Sequence, residues 1–326
     1  MVAEQRRTAA LTTVGGSRFV DLRSLARGRE FQVSEVALVV GGRPSARRFA
    51  LKVATEPSER AEECFARERE ALRSCAHSAF VPTLHGCDER KLAMVLEIGR
   101  FDMNRLQGRL PVAWSRYICA SLTLALEHVH SSGHVHADIK LENVLLSCDG
   151  TPMLADFGEA VPLPTLDATV QLLSFRGTPS YSAPEMITSF RVSRASDLWA
   201  LGVAMYRMLF GTKPFQLDAS GGDEVIMRSA TDAVQQPLLK KDGVRVDEDG
   251  WDLVQLLMRQ EPAERLGFAR SNPRQFQWTA PLYSDIRAHP FFRGIDWARL
   301  AEKRLSPLTL QPPLDVCSLA EKFGAG

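Results

Sequence analysis

The sequence predicts an α+β protein of two lobes, a small β-rich one carrying a single key helix and a larger, mainly helical one. Three observations carry this. Runs rich in β-branched and aromatic residues dominate before residue 97, broken by one segment of good helix formers. Helical patterns take over beyond Asp102. The 326 residues, 45% apolar and 24% charged, are enough to bury a core larger than one small module needs.

The elements follow in order. Residues 1–18 read as a poorly structured arm. Segments 31–40 and 48–53 read as strands, separated by the turn-forming cluster Gly-Gly-Arg-Pro-Ser-Ala. Segment 60–76, dominated by Ala, Glu, Arg and Leu, is a helix. Strand returns over 92–98. Pro111 opens a helix that runs through Trp114, Ile118, Leu122 and Leu126 and stops at Gly133. Short strands at 144–146 and 153–155 flank Ser-Cys-Asp-Gly, and a long loop leads to Glu185. Helices resume from Ser196. Segment 270–283, rich in Pro, Gln and Ser, reads as a surface insertion, and residues 305–326 as a second arm. The expected boundaries are a small lobe at about 19–97, a large lobe at about 102–295 and a tail at 296–326.

Charge and cysteine usage narrow the function. Forty Lys and Arg against thirty-nine Asp and Glu leave +1, so no overall field favours nucleic acid or an anionic membrane. Six scattered cysteines without a C-x-x-C fit a reduced compartment. The amino terminus lacks the apolar core of a secretory signal. The apolar segment 199–211 is shorter than the about 20 residues a membrane span requires, and Arg207 interrupts it. The expectation is a cytoplasmic chain with no transmembrane segment and no nucleic-acid partner.

The chemistry-bearing signal is His136-Ala137-Asp138-Ile139-Lys140-Leu141-Glu142-Asn143, followed by Asp156-Phe157-Gly158 across a short hairpin. In this order and spacing the sequence resembles the eukaryotic protein kinases over residues 19–295. The resemblance implies a bilobal kinase fold using ATP and Mg2+. It makes Asp138 the base that orients and deprotonates the attacking hydroxyl and Lys140 the neutraliser of phosphoryl charge. Asn143 and Asp156 offer the hard oxygen ligands magnesium prefers. A lysine at position 140 is typical of serine/threonine specificity in this family.

Upstream, Lys52 lies in an apolar strand, and Glu68 falls on the apolar stripe of the 60–76 helix. A buried carboxylate needs a cationic partner, and Lys52 is the natural one; Glu70 turns away from that stripe. The resemblance assigns nucleotide-binding positions to Leu25, Gly28, Ser34, Val36, Ala50, Lys52, Glu68, Glu97 and Leu145. It places Leu96 and Glu97 at the hinge, makes Asp102 a candidate ribose contact and stacks His136 with Leu72, Leu84 and Phe157. Glu185 is expected to pair with Arg265, and Asp197 to hold the backbone near Asp138.

Two departures from the family pattern stand out. Counting back from Val36, the three positions of the glycine-rich phosphate loop (G-x-G-x-x-G-x-V) fall on Arg29, Phe31 and Ser34, and Gly28 serves only if the register shifts. Ala137 stands where most members carry an arginine that reads a phosphate at the position of Ser174. Segment 289–300 is similar to the AGC class of serine/threonine kinases, and segments 67–69 and 174–178 to its phosphoinositide-dependent branch. This implies a protein substrate, including other AGC kinases. It also implies a pocket near Arg67 and Arg69 for the phosphorylated tail of another kinase. The competing expectations are a pseudokinase scaffold, favoured by the poor glycine loop, and a small-molecule kinase, disfavoured by the peptide ledge at 174–185. The four histidines from His128 to His136 do not read as a zinc site, since His128 and His130 do not share a helix face.

Overall fold

A computed structural model describes residues 11–218, 220–268 and 281–323. Six strands form one antiparallel sheet: β1 (Leu11–Val14), β2 (Ser17–Arg27), β3 (Phe31–Val40), β4 (Arg43–Ala54), β5 (Leu84–Asp88) and β6 (Ala93–Leu96). Their spatial order is β1-β2-β3-β4-β6-β5. Helix α1 (Glu59–Ser74) enters between β4 and β5. Ser58 caps it by accepting from the Ala61 N–H, and it buries a stripe of Ala61, Cys64, Phe65, Glu68, Ala71 and Leu72.

The larger lobe begins with β7 (Phe101–Asp102) and α2 (Val112–Ser131). Short strands β8 (His134–Val135), β9 (Val144–Leu146), β10 (Pro152–Leu154) and β11 (Val161–Pro162) carry the site segments, with β7 and β10 flanking β9. Beyond them lie β12 (Val170–Gln171), α3 (Pro184–Ser189), β13 (Arg191–Val192), α4 (Arg194–Phe210), α5 (Asp223–Val234) and α6 (Glu248–Leu257). Three further helices follow: α7 (Ser284–Arg287), α8 (Trp297–Ala301) and α9 (Val316–Phe323). Helix α4 is buried on nearly every side, which explains its continuous apolar sequence. Ser193 and Ser196 form its capping box, and Gly211 ends it with a left-handed φ of 76°.

Three expectations change here. Residues 11–18, read as an arm, belong to the sheet: β1 pairs with β2, and buried Val14 packs with Phe19, Val36 and Phe49. Four residues, Leu-Thr-Thr-Val, that do not alternate are too short a signal to separate a strand from a loop. In the second expected arm, Leu314, Val316 and Leu319 are buried in the large-lobe core, and Trp114 Nε1 donates to the Pro312 carbonyl at 2.6 Å. Of the expected insertion, residues 270–280 lie outside the described residues, but Tyr283 at its end is fully buried and bonded to His130. Residues 1–10 also lie outside the described residues. Among the described residues, no helix is long and apolar enough to cross a membrane.

Candidate active site

The sheet, α1 and the segments around β9 and β10 enclose a cavity of about 650 Å3. Leu25, Gly28, Val33, Ala50 and Lys52 line it from the sheet, Glu68 from α1, and Leu96 and Glu97 from the connection between lobes. Asp138, Lys140, Asn143, Leu145 and Asp156 line it from the larger lobe. Gly99 allows the close approach of that connection to β9, because a Cβ there would lie 2.6 Å from Leu145 Cβ. Asp102 also borders the cavity, with its carboxylate 2.8 Å from Arg105 Nε.

Ser34 and Val36 do not line it. Val36 sits opposite Phe49, fully buried on the other face of the sheet with Val14, Phe19 and Leu51, and Ser34 sits opposite Leu51 on that same face. Val33, opposite Lys52, takes the place expected of Val36. The ungapped count missed this because β3 and β4 run on to a turn at Gly41 and Gly42, with a bulge between Ala37 and Val39. Counted from Val33, the phosphate-loop positions become Ala26, Gly28 and Phe31, with Leu25 just ahead of them.

Lys52, Glu68 and Asp156 meet. Lys52 Nζ donates to Glu68 Oε2 at 2.6 Å and to Asp156 Oδ1 at 2.8 Å. Burial opposes the ammonium charge, but Asp156 and Glu68 together outweigh it and raise the Lys52 pKa above its ordinary value. Burial pushes Glu68 up, with Lys52 pulling it back only in part. The Lys52 charge holds Asp156 down at about 2, against its ordinary 3.8. A carboxyl depressed in the folded state favours folding above its unfolded pKa, and that contribution is lost as pH falls through the folded value. Asp156 is therefore expected to stay ionised throughout the mildly acidic range. In a carboxyl NMR titration, Lys52→Met should return its midpoint toward 3.8, and a wild-type midpoint already at that value contradicts the pairing.

The His136–Asn143 segment builds a second cluster. Lys140 Nζ donates to Asp138 Oδ2 at 2.6 Å and to Thr178 Oγ1 at 2.9 Å, and Thr178 donates to Asp138 Oδ1 at 2.7 Å. The Asn143 amide nitrogen donates to the Asp138 carbonyl at 2.9 Å and to its carboxylate at 3.2 Å. The Asp138 carboxylate is thus fixed in orientation by three donors. Asp197, buried on α4, accepts the His136 and Ala137 N–H groups at 2.8 and 2.9 Å. Those bonds hold Ala137 at a left-handed φ of 62°, a strained conformation for a residue with a side chain. Gly177 is needed beside it: its φ is 93°, and a Cβ there would lie 2.5 Å from the Ala137 carbonyl oxygen.

The supporting contacts expected from sequence are present. Both guanidinium ends of buried Arg265 reach Glu185, each at 2.7 Å. The His136 and Phe157 rings stand 4.6 Å apart, and Phe157 clusters with Leu72 and Leu84. Arg67 donates to the Gly158 carbonyl at 2.8 Å and pairs with Glu63, while Arg69 pairs with Glu89. Three residues at the site carry no role in the sequence reading: Val33 and Phe31, which line the cavity, and Thr178, which bonds Asp138. Thr178 lies within the 174–178 segment, 40 residues from the Asp138 it bonds, so its role depends on the tertiary fold. Val33 depended on hairpin register, which sequence alone did not fix.

The family profile of the protein kinase domain matches residues 27–279. The chain belongs to the protein kinase family. Over 317 residues it is 33% identical to human serine/threonine-protein kinase MRCK gamma, covering 91% of this chain and 19% of that protein. Atypical protein kinase C of Drosophila melanogaster is 30% identical over 311 residues, 90% of this chain and 48% of its own length. The 3-phosphoinositide-dependent protein kinase 1 of Arabidopsis thaliana is 33% identical over 226 residues, 67% of this chain and 42% of its own length. The chain therefore spans less than half the length of these relatives, and it is similar to serine/threonine kinases of the AGC class.

The family uses ATP and a divalent metal, and the donor set here fits both. The Asn143 amide nitrogen is committed to Asp138, which leaves its amide oxygen available to a cation, and the Lys52 charge favours the ionised form of the Asp156 carboxyl, which lines the same cavity. One or two protein oxygens completed by phosphate and water are what magnesium takes. Among the described residues, no three His, Cys, Asp or Glu side chains are grouped to hold a metal by themselves.

Proposed function

We propose that the chain is a serine/threonine protein kinase that transfers the γ-phosphate of Mg-ATP to a protein hydroxyl. The observation that carries this is the convergence, in one cavity, of the Lys52–Glu68–Asp156 cluster with Asp138 and Lys140, which Thr178 braces from outside the lining. Lys52 presents its charge to the phosphates, held by Glu68. Asp138 orients the substrate hydroxyl and takes its proton, while its oxygen forms the new bond to phosphorus and ADP leaves. Lys140, between Asp138 and Thr178, offsets negative charge on the transferring group. Asn143 and Asp156 would hold the magnesium, which supplies charge neutralisation when bound. Catalysis of this type is positioning plus electrostatics.

Other kinases of the AGC class are the proposed substrate class, on the likeness at residues 67–69 and 174–178. A phosphorylated tail docking at Arg67 and Arg69 has to displace Glu63 and Glu89. The alternative is a scaffold that keeps the fold without transfer. Incubation with radiolabelled ATP, magnesium and a generic protein separates the two, with Asp138→Asn as control. Label incorporated by the wild type and lost in the variant supports the kinase; no label from the wild type supports the scaffold.

Ala137 offers no charge to an activation phosphate, and Glu63 and Glu159 already face Arg60 and Arg67. Ser174→Ala is therefore expected to change turnover by less than about tenfold. A loss of about a hundredfold, equivalent to about 2.7 kcal/mol, contradicts this.

A further inference from the structure

The phosphate loop carries an aromatic ring where the family pattern has its third glycine. Phe31 is 9% exposed, lines the cavity, and clusters with Ala61, Cys64 and Phe65 of α1. Its ring centroid lies 5.0 Å from Lys52 Nζ. An ammonium has three N–H donors. Glu68 and Asp156 each take one, and the Phe31 ring lies over the same group. The loop is also tied down. Gly28 N–H donates to the Phe31 carbonyl and Thr55 N–H to the Glu30 carbonyl, both at 2.8 Å. The Glu30 carboxylate lies 3.6 Å from Arg60 Nε and accepts from Ser58 Oγ at 3.3 Å. A triphosphate approaching Lys52 therefore meets a ring, a carboxylate and a loop anchored to the start of α1. A glycine-rich turn would offer free N–H groups instead.

Resting on the nucleotide-site reading above, the geometry points to Phe31 as a specificity-determining plug. It occupies the face of Lys52 that a phosphate needs, and so lowers affinity for the triphosphate without touching recognition of adenine. The adenine side is formed by Leu25, Val33, Ala50 and Leu145, none of which belongs to the α1 cluster that holds the ring. ATP binding has to expel Phe31 from Lys52, forfeiting its cation–π contact and its burial.

The test is calorimetric titration of the full chain with Mg-ATP and, separately, with adenosine. Phe31→Ala is expected to raise ATP affinity by at least about fivefold while adenosine affinity stays within about twofold. Phe31→Leu keeps aliphatic bulk but removes the π face, and should give a smaller gain in the same direction. If Phe31→Ala fails to fold, Phe31→Leu alone decides. Variants that bind adenosine like the wild type but ATP no better overturn the plug and leave the nucleotide site standing. A wild type and variants that bind neither ligand overturn both.

Discussion

Asp138→Asn is expected to lower phosphoryl transfer by at least about a thousandfold, equivalent to about 4 kcal/mol of transition-state stabilisation. The substitution preserves shape but removes the charge that accepts the hydroxyl proton. It also places an N–H among groups that already donate, since Lys140, Asn143 and Thr178 all point hydrogens at this carboxylate. ATP binding should change little, because the Lys52–Glu68–Asp156 cluster is built from other segments. The decisive pattern is a fall in kcat with the dissociation constant for ATP within about threefold. Equal labelling by wild type and variant would remove Asp138 from the mechanism.

The second large effect concerns stability. Arg265 has no exposed side-chain surface, and among the described residues Glu185 is the carboxylate that neutralises it, through two parallel hydrogen bonds. Glu185→Ala leaves a buried guanidinium bonded to the neutral carbonyls of Ala195, Arg259 and Gln260 and stacked on Trp199. Breaking one side of such a pair costs about 3–5 kcal/mol. For a chain of this size that lowers Tm on the order of 10 °C. A Glu185→Leu, Arg265→Met double variant should lose less than the two single changes added together, because no charge is stranded. A Tm shift in Glu185→Ala within about 1 °C would mean the pair is not structural.

Much of the site was legible because its chemistry is local. Asp138, Lys140 and Asn143 lie within one turn-like segment, and Asp156 follows across a hairpin whose strands pair as expected. Lys52 and Glu68 were legible for a physical reason: a charge on an apolar stripe demands a partner. What failed depended on register. Val36 and Ser34 were misplaced because the side-chain period of a strand is two, so an odd shift of three residues inverts the facing. Leu11–Val14 and the segment from Leu314 to Leu319 were missed because their order comes from packing on distant residues. Thr178 was missed for the same reason, as it meets Asp138 only through the tertiary fold.

The placement of Leu314, Val316 and Leu319 in the large-lobe core has a consequence for biosynthesis. Translation proceeds from the amino terminus, and domains fold as units once their residues emerge. The small lobe and the segment bearing Asp138 leave the ribosome long before the residues that complete the core around α2 and β9. Until residue 319 has cleared the exit tunnel, that apolar surface stays open to chaperones and to neighbouring nascent chains.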